Sequence, residues 1–216
     1  IRGCPHHGKL ALYDPLDSLQ HYDYTVALPA PSLYSQFNNL DDVNIVLNGL
    51  ILMGFDDVFE VSAAAEMVSE ATREYIAANY SGTPFISTAC PSVVRLIRVK
   101  FPNLISNLLP LKPPIEVAAQ MAVKKAMEQT GLPREKIGIF FISPCPSKVT
   151  YVKSPLGTDR SEVDRVLAIK DVYPQLISYM QTVDPKAPDM SESGKIGVGW
   201  GRRSGEAGGL FTESYL

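Results

Sequence analysis

The chain is organised around the segment PFISTACPSVVRLI, residues 84–97. The apolar residues at its start predict a short buried strand, and the small residues that follow predict a loop. Pro91 then opens a helix, because the N–H that proline lacks would have no partner in the first turn. Cys90 therefore stands at a helix start, where the positive end of the helix dipole favours a thiolate.

Two other segments share this order of an apolar run followed by small residues and proline. Residues 137–149, IGIFFISPCPSKV, end an apolar run at Cys145, and both cysteine segments contain Cys-Pro-Ser-x-Val. A cysteine-free version follows the strand predicted at residues 24–28 and contains Ala30, Pro31 and Ser32. In open α/β sheets, ligands bind outside the carboxyl ends of the strands. We therefore expect the two cysteines to face one site.

The order of the remaining segments predicts the fold class. Apolar runs predict further strands at 57–61, 163–169 and 196–200, and helical periodicity predicts helices at 38–54, 63–80, 91–100, 115–131 and 172–181. Residues 148–161 and 182–193 are polar and predict loops. Strands that alternate with helices indicate an α/β fold with parallel pairing, and the continuous apolar run 137–142 predicts a strand buried on both faces.

Composition excludes several classes of protein. The 216 residues carry 23 acidic and 20 basic side chains, a net charge of −3, so there is no basic footprint for nucleic acid. We find no apolar run of about 18 residues and expect no membrane partner. The three cysteines cannot all pair with one another, and none lies in a zinc-type CxxC, so we expect a reducing, cytoplasmic setting.

The residues alone leave the role of the cysteines open. Free cysteine is commonly a buried core residue, and a nucleophile would need a base, yet His6, His7 and His21 all lie near the start of the chain. An iron–sulfur site suits soft thiolate donors better, although a cubane needs four cysteines. Cys4 with Pro5 is either an ordinary loop or the end of the ferredoxin motif C-x2-C-x2-C-x3-C-P.

Charged residues of the helix predicted at 63–80 also allow two interpretations. Glu66, Glu70, Arg73 and Glu74 recur at helical spacing, which is typical of a solvated face with i,i+3 and i,i+4 pairs. A proton relay through Glu70 or Glu74 is the alternative.

From residue 24 to 216, the chain resembles the large-subunit catalytic domain of iron-only ([FeFe]) hydrogenases. The family's first motif, Thr-Ser-Cys-Cys-Pro-Gly-Trp, is similar to STACPSV at residues 87–93, and its second, Met-Pro-Cys-x-x-Lys-Lys, is similar to SPCPSKV at residues 143–149. The Ala-Pro-Ser sequence at 30–32 resembles a loop beside the family's active site. The Lys-Pro-Pro sequence at 112–114 resembles a further pocket-lining loop.

The resemblance implies two lobes of mainly parallel sheet flanked by helices. Residues 1–22 would be the tail of a ferredoxin-like module and a linker, with Cys4 on a 4Fe-4S cluster, and residues 23–216 the hydrogenase domain. Cys90 and Cys145 would ligate the cubane half of the H-cluster, which joins a 4Fe-4S cubane to a di-iron unit. Lys148 would reach a cyanide on the di-iron half, where an ammonium suits an anionic acceptor.

The resemblance also implies that the pocket is incomplete here. Ala30, Pro31 and Ser32 would line it. The family's third motif, with two more cysteines, would fall beyond Leu216, so we expect the present chain to be incomplete at its C-terminus and to lack both the H-cluster and the ferredoxin cluster.

Several positions depart from the catalytic members of the family. Ala89 replaces the cysteine that carries protons to the di-iron site, and an alanine neither gives nor takes a proton. Ser143 replaces the methionine of the second motif, Val93 the tryptophan of the first, and Ala71 a glutamate of the proton path. These changes resemble the sensory branch of the family.

The implied function is a hydrogenase-like oxidoreductase that binds or slowly turns over H2 as a hydrogen or redox sensor. Its implied partners are a ferredoxin-type electron carrier or fused cluster domain and a downstream signalling module. The alternative is an iron–sulfur assembly or scaffold protein of the Narf-like branch, without hydrogen chemistry.

Overall fold

A computed structural model describes residues 11–38, 40–194 and 197. Four parallel strands form one sheet in the order β2-β1-β3-β4: β1 (Tyr24–Pro29), β2 (Asp57–Val58), β3 (Ile137–Ser143) and β4 (Arg165–Ala168). Within the residues that the structure describes, six α-helices accompany it: α1 (Val43–Leu52), α2 (Val61–Asn79), α3 (Pro91–Lys100), α4 (Pro114–Thr130), α5 (Pro146–Lys153) and α6 (Ile169–Met180). Short 3-10 helices span Leu16–His21, Pro31–Gln36, Pro102–Asn107 and Arg134–Lys136. The α/β class and the parallel pairing are confirmed; the described residues hold one sheet.

The central strand β3 is the best-buried element. All seven of its residues are buried, and it pairs with β1 from Ile137 opposite Tyr24 to Ile142 opposite Pro29. Alternate side chains enter different layers: Ile139 packs in the core cluster with α2 and α4, and Phe140 in the cluster with α1 and α6. The prediction of a strand buried on both faces is confirmed.

Capping residues fix the ends of the helices. Helix α1 begins at Val43 rather than residue 38, because the Asp42 carboxylate accepts the N–H of Asn44 at 2.8 Å. Helix α4 ends where Gly131 takes the left-handed conformation, with φ 70°. Helix α3 has the predicted bounds of 91 and 100.

The strand predicted at residues 84–89 is wrong. The backbone there makes one isolated parallel bridge, between Ile86 and Leu108, and belongs to no strand of the sheet. The Phe85 ring packs edge-on against Tyr75 of α2, with ring centroids 5.5 Å apart. The segment is therefore held by α2 and by the residues after the 3-10 helix Pro102–Asn107, and only two of the three small-residue segments follow strands of the sheet.

Other boundaries also differ from the expectations. The loop predicted from residue 148 is wrong in its first part, because α5 continues to Lys153 with Val149 and Tyr151 buried. The strand predicted at 57–61 stops at Val58, and α2 begins at Val61. Helix α6 begins at Ile169, three residues early, and contains a proline.

Some of the predicted features lie outside the described residues. Cys4, His6 and His7 do so, and the strand predicted at 196–200 does so apart from Gly197. The boundary at residue 22 stays a prediction. Among the helices of the described ranges, none combines the length and the apolarity needed to cross a membrane.

Candidate functional site

Cys90 and Cys145 occupy the same position of the same local structure. Each is the N-cap of a helix whose first residue is proline, α3 for Cys90 and α5 for Cys145. Their backbones nearly superpose, with φ −101° and ψ 107° at Cys90 and φ −100° and ψ 110° at Cys145. Proline disfavours the helical conformation in the residue before it, which holds both cysteines extended. Neither side chain caps its own helix. The sulfur of Cys145 shares a hydrogen bond with Oγ of Ser147 at 3.0 Å.

The carboxyl edge of the sheet carries one of these cysteines. Cys145 follows β3, and its N–H bonds to Oγ of Ser143, the last residue of that strand, at 3.2 Å. The loop after β1 lies beside it, since the N–H of Ala30 bonds to the carbonyl of Ile142 at 3.1 Å. Ala30 and Pro31 are buried and Ser32 half-buried. The structure thus brings the Ala-Pro-Ser loop to the end of the strand that leads to Cys145.

Lys148 joins the two cysteine segments. It lies in the first turn of α5, and its Nζ donates to the carbonyl oxygen of Ala89 at 2.7 Å. Burial lowers its pKa, while the thiols of Cys145 and Cys90, and then Glu116, act to raise it. Both sulfurs therefore lie within electrostatic reach of one ammonium group, and α3 packs against α5. This arrangement agrees with a shared site.

The exposure of the cysteines argues against a core role. Cys90 is exposed and Cys145 is half-buried, and neither belongs to the two hydrophobic core clusters. A pair of His21 with Cys145 has no support either, because His21 precedes β1 at the amino edge of the sheet whereas Cys145 follows β3 at the carboxyl edge. His6 and His7 lie outside the described residues. Both cysteines therefore lie outside the two core clusters.

The donor set fits part of an iron–sulfur cluster. Two thiols are half of the four-thiolate shell that a cubane needs, and thiolates are the donors that iron–sulfur clusters select. Within the described ranges, no group of three or more His, Cys, Asp or Glu side chains could hold a metal ion. Within the described residues, Cys90 and Cys145 can therefore supply two of the four thiolates of such a cluster.

Ala89 lies at the edge of a small cavity. The cavity, of about 50 Å³, is also lined by Lys112, Pro113 and Pro114, so the Lys-Pro-Pro loop lies beside the alanine. The N–H of Ala89 bonds to Oγ of Ser87 at 3.3 Å, and its carbonyl accepts Lys148.

The glutamates proposed for a relay lie on the surface. Glu70 forms an ion pair with Arg73 on α2, and Glu74 is exposed, as expected for a solvated face. Neither lines the cavity beside Ala89. The proton-relay alternative for these two residues has no support in the structure.

The sequence gives no indication that two glutamates of the chain are buried. Glu116, 2% exposed in α4, accepts Ser161 Oγ and the N–H of Glu162 and lies within electrostatic reach of Lys148. Glu60, 1% exposed, accepts the hydroxyl of Tyr34 at 2.9 Å. In sequence Glu116 looks like an ordinary first-turn acid, and Glu60 looks like a residue of the strand predicted at 57–61. Only tertiary contacts show that the two carboxylates are buried and what they bind.

A comparison with protein families shows to which family the chain belongs. The family described as iron only hydrogenase large subunit, C-terminal domain, matches residues 23–215. The chain belongs to this family. Cys4 precedes the matched part, and Cys90, Cys145 and Lys148 lie inside it.

Curated relatives are hydrogenases. Iron hydrogenase 1 of Clostridium pasteurianum is 22% identical over 199 residues, which cover 84% of this chain and 35% of that protein. The NADP-reducing hydrogenase subunit HndD of Solidesulfovibrio fructosivorans is 23% identical over 160 residues, covering 69% of this chain and 27% of that protein. The chain spans about a third of the length of these hydrogenases.

Solved hydrogenases share the fold. A variant of apo [FeFe]-hydrogenase HydA1 from Chlamydomonas reinhardtii has a TM-score of 0.57 at 18% identity, covering 83% of this chain and 48% of that one. HydA(deltaEFG), from a structure on stepwise H-cluster assembly, has a TM-score of 0.56 at 17% identity, covering 82% and 46%. The sheet and its helices therefore follow the hydrogenase large-subunit fold over about half of its length.

Proposed function

We propose that the protein containing this chain binds hydrogen at an H-cluster and turns it over slowly, as a hydrogen or redox sensor. The observation that carries the proposal is the hydrogen bond from Lys148 to the carbonyl of Ala89, which ties the two cysteine segments together. The acceptor of this bond, Ala89, has no titratable side chain, and by the resemblance it stands at the position where the family's catalytic members have a cysteine.

In this proposal Cys90 and Cys145 are two of the four cubane ligands. The remaining thiolates come from outside the present chain, whose only other cysteine is Cys4. When bound, the H-cluster supplies the redox chemistry on hydrogen. Lys148 contributes an ammonium group with three donors, of which Ala89 takes one, and the others remain for an anionic acceptor such as cyanide.

Slow turnover follows from the alanine. Positioned proton transfer contributes roughly 10²- to 10⁴-fold to rate, and a methyl group transfers none. A protein that binds hydrogen but releases it slowly suits signalling better than metabolism. Its partners would be a ferredoxin-type electron carrier or a fused cluster domain, with Cys4 on a 4Fe-4S cluster, and a downstream signalling module in the cytoplasm.

A Narf-like iron–sulfur scaffold is the competing function. A scaffold needs the cysteines but has no use for a lysine placed between them. Lys148 therefore favours hydrogen chemistry.

The test uses the whole protein, matured with its di-iron cofactor. Infrared bands of cyanide and carbonyl ligands should accompany slow hydrogen uptake, and Ala89→Cys should raise the uptake by roughly 10². Ala89→Val is the matched control, because it adds volume without a proton donor, and it should leave uptake low. Iron–sulfur absorbance without cyanide and carbonyl bands would overturn the proposal and favour the scaffold.

A further inference from the structure

An unusual number of apolar side chains are exposed on α3 and on the 3-10 helix that follows it. Eleven large apolar side chains are exposed among the described residues, and five of them lie within residues 93–105. These five are Val93, Leu96, Val99, Phe101 and Ile105. Apolar side chains scattered singly over a surface are ordinary, but such a concentration on one short segment indicates a surface that binds another molecule.

The apolar residues of α3 form a stripe opposite its buried face. Val94 and Ile97 pack into the protein and are 6% and 4% exposed. Val93, Leu96 and Val99 recur at every third position on the other side, and Val99 is 76% exposed. Helix α3 therefore presents two apolar faces, and the described residues cover only one of them.

The exposed stripe lies in a basic part of the chain. Helix α3 contains Arg95, Arg98 and Lys100, and residues 75–115 contain no Asp or Glu. Arg98 and Lys100 are exposed. Because the chain as a whole has a net charge of −3, this positive charge is local, and it selects a partner whose surface carries carboxylates.

A matching acidic surface lies on α2. This helix contains three glutamates and one arginine, which give it a net charge of −2. Exposed residues recur along one side of it at i, i+3, i+7 and i+10, namely Met67, Glu70, Glu74 and Ala77. Glu70 pairs with Arg73 within the helix. The small alanine and the flexible methionine leave room between the carboxylates for apolar side chains of a partner.

The basic and the acidic helix are neighbours in one molecule. Only residues 80–90 join α2 to α3, and the ring of Phe85 in this link packs against Tyr75 of α2. Ala89, next to the N-cap of α3, shares a small cavity with Ser69 and Thr72 of α2. One side of the molecule therefore carries both a basic apolar surface and an acidic surface, which makes it complementary to a second copy of itself.

We propose that two copies of the chain associate through these helices, with α3 of each copy against α2 of the other. A two-fold axis makes this contact twice and closes the assembly as a dimer. The apolar stripes supply the attraction, and the opposite charges fix which helices meet. Contact of α3 with α3 would instead bring cations against cations. The association needs neither a cluster nor hydrogen, so it is independent of the proposed function.

Sedimentation velocity of the whole protein over a range of concentrations measures this association. A single exposed ion pair contributes little, so the charges are reversed in pairs. Arg98→Glu with Lys100→Glu should raise the dissociation constant of the dimer at least about tenfold, because like charges then face each other. Glu70→Lys with Glu74→Lys should raise it by a similar factor for the same reason.

The matched control reverses two charges outside this surface. Lys124 and Glu128 of α4 are 78% and 67% exposed. Lys124→Glu with Glu128→Lys should therefore leave the dissociation constant of the dimer unchanged.

A mixture of the two reversed variants gives the decisive measurement. Alone, each variant carries like charges on α2 and α3 and should stay monomeric. In the mixture, the acidic α3 of one variant meets the basic α2 of the other at both contacts, so dimers should return. Misfolded variants could not restore the association. A wild type that is monomeric at roughly 100 μM, a dimer that the reversals leave unaffected, or a mixture as monomeric as its components would each overturn the proposal.

Discussion

Burial and neighbouring charges act in opposite directions on the pKa of Lys148. Burial lowers its pKa below the ordinary 10.5, and the thiols of Cys145 and Cys90 and the Glu116 carboxylate act in the opposite sense. Its ammonium is therefore easier to deprotonate than that of a surface lysine. As pH rises, the Lys148 side chain should therefore lose its positive charge at a lower pH than an exposed lysine does.

The lowered pKa of Lys148 predicts how stability depends on pH. Between the folded pKa and 10.5, the unfolded chain binds more protons than the folded one, so stability rises with pH across that window. Relative to Lys148→Met, the wild type should therefore gain stability as pH approaches 10.5. Urea unfolding of the whole protein at several pH values measures this difference.

The control for Lys148 is a lysine without burial. Lys124 is 78% exposed, so Lys124→Met should show no such trend relative to the wild type. A flat or falling difference for Lys148→Met would contradict the assigned burial of the ammonium.

Individual elements could be predicted from sequence where one local cause decides them. Strand β3 is readable because its run of apolar residues is buried on both faces, and α3 because Pro91 marks its start. Residues 84–89 have the same local pattern. A strand also needs a neighbouring strand with which to pair, and this segment forms only one isolated bridge, between Ile86 and Leu108. For helix α5 the sequence predicts a helical start at Pro146 but a loop from residue 148, because the segment is short and mostly polar.

The site also contains residues that a local sequence pattern identifies and residues that only tertiary contacts identify. A repeated motif identified Cys90 and Cys145, and Lys148 followed from the resemblance. Glu60 and Glu116 carry no local signal, since their importance arises from contacts with residues distant in sequence.

Glu60 connects the start of α2 with residues 191–193, which are far away in sequence. It lies between β2 and α2, and it accepts the N–H groups of Glu192 and Ser193 at 2.7 and 3.1 Å and the Oγ of Ser193 at 2.8 Å. It also accepts hydroxyls of Tyr34, Ser62 and Ser191. One buried carboxylate thereby fastens residues 191–193 to the edge of the sheet.

Glu60→Ala should destabilise the protein by about 3 kcal/mol or more, because several buried donors lose a charged acceptor at once. Denaturant unfolding with a constant m-value measures the loss. Glu74→Ala, at an exposed position of α2, should stay within about 0.5 kcal/mol of the wild type. A Glu60→Ala variant within 1 kcal/mol of Glu74→Ala would contradict the fastening role.

At the scale of the whole molecule, the family match divides the cysteines into two groups. Cys90 and Cys145 lie within the matched residues 23–215, and Cys4 precedes them. If Cys4 belongs to a ferredoxin cluster, the protein holds two kinds of iron–sulfur site with separate ligands. Serine is a poor substitute for thiolate in a soft-ligand site, so a Cys→Ser change should remove the site to which that cysteine belongs. Because the two sites have separate ligands, the other site should stay intact.

We therefore predict opposite outcomes for Cys4→Ser and Cys145→Ser in the matured whole protein. Cys145→Ser should abolish the cyanide and carbonyl infrared bands while a reduced 4Fe-4S signal remains in electron paramagnetic resonance. Cys4→Ser should keep the infrared bands, lower the iron content by about one cubane, and slow electron delivery to the hydrogen site. Cys90→Ser should behave like Cys145→Ser, because the two residues occupy equivalent helix N-caps. If Cys4→Ser removed the infrared bands, or left the iron content unchanged, the division at residue 22 would be wrong.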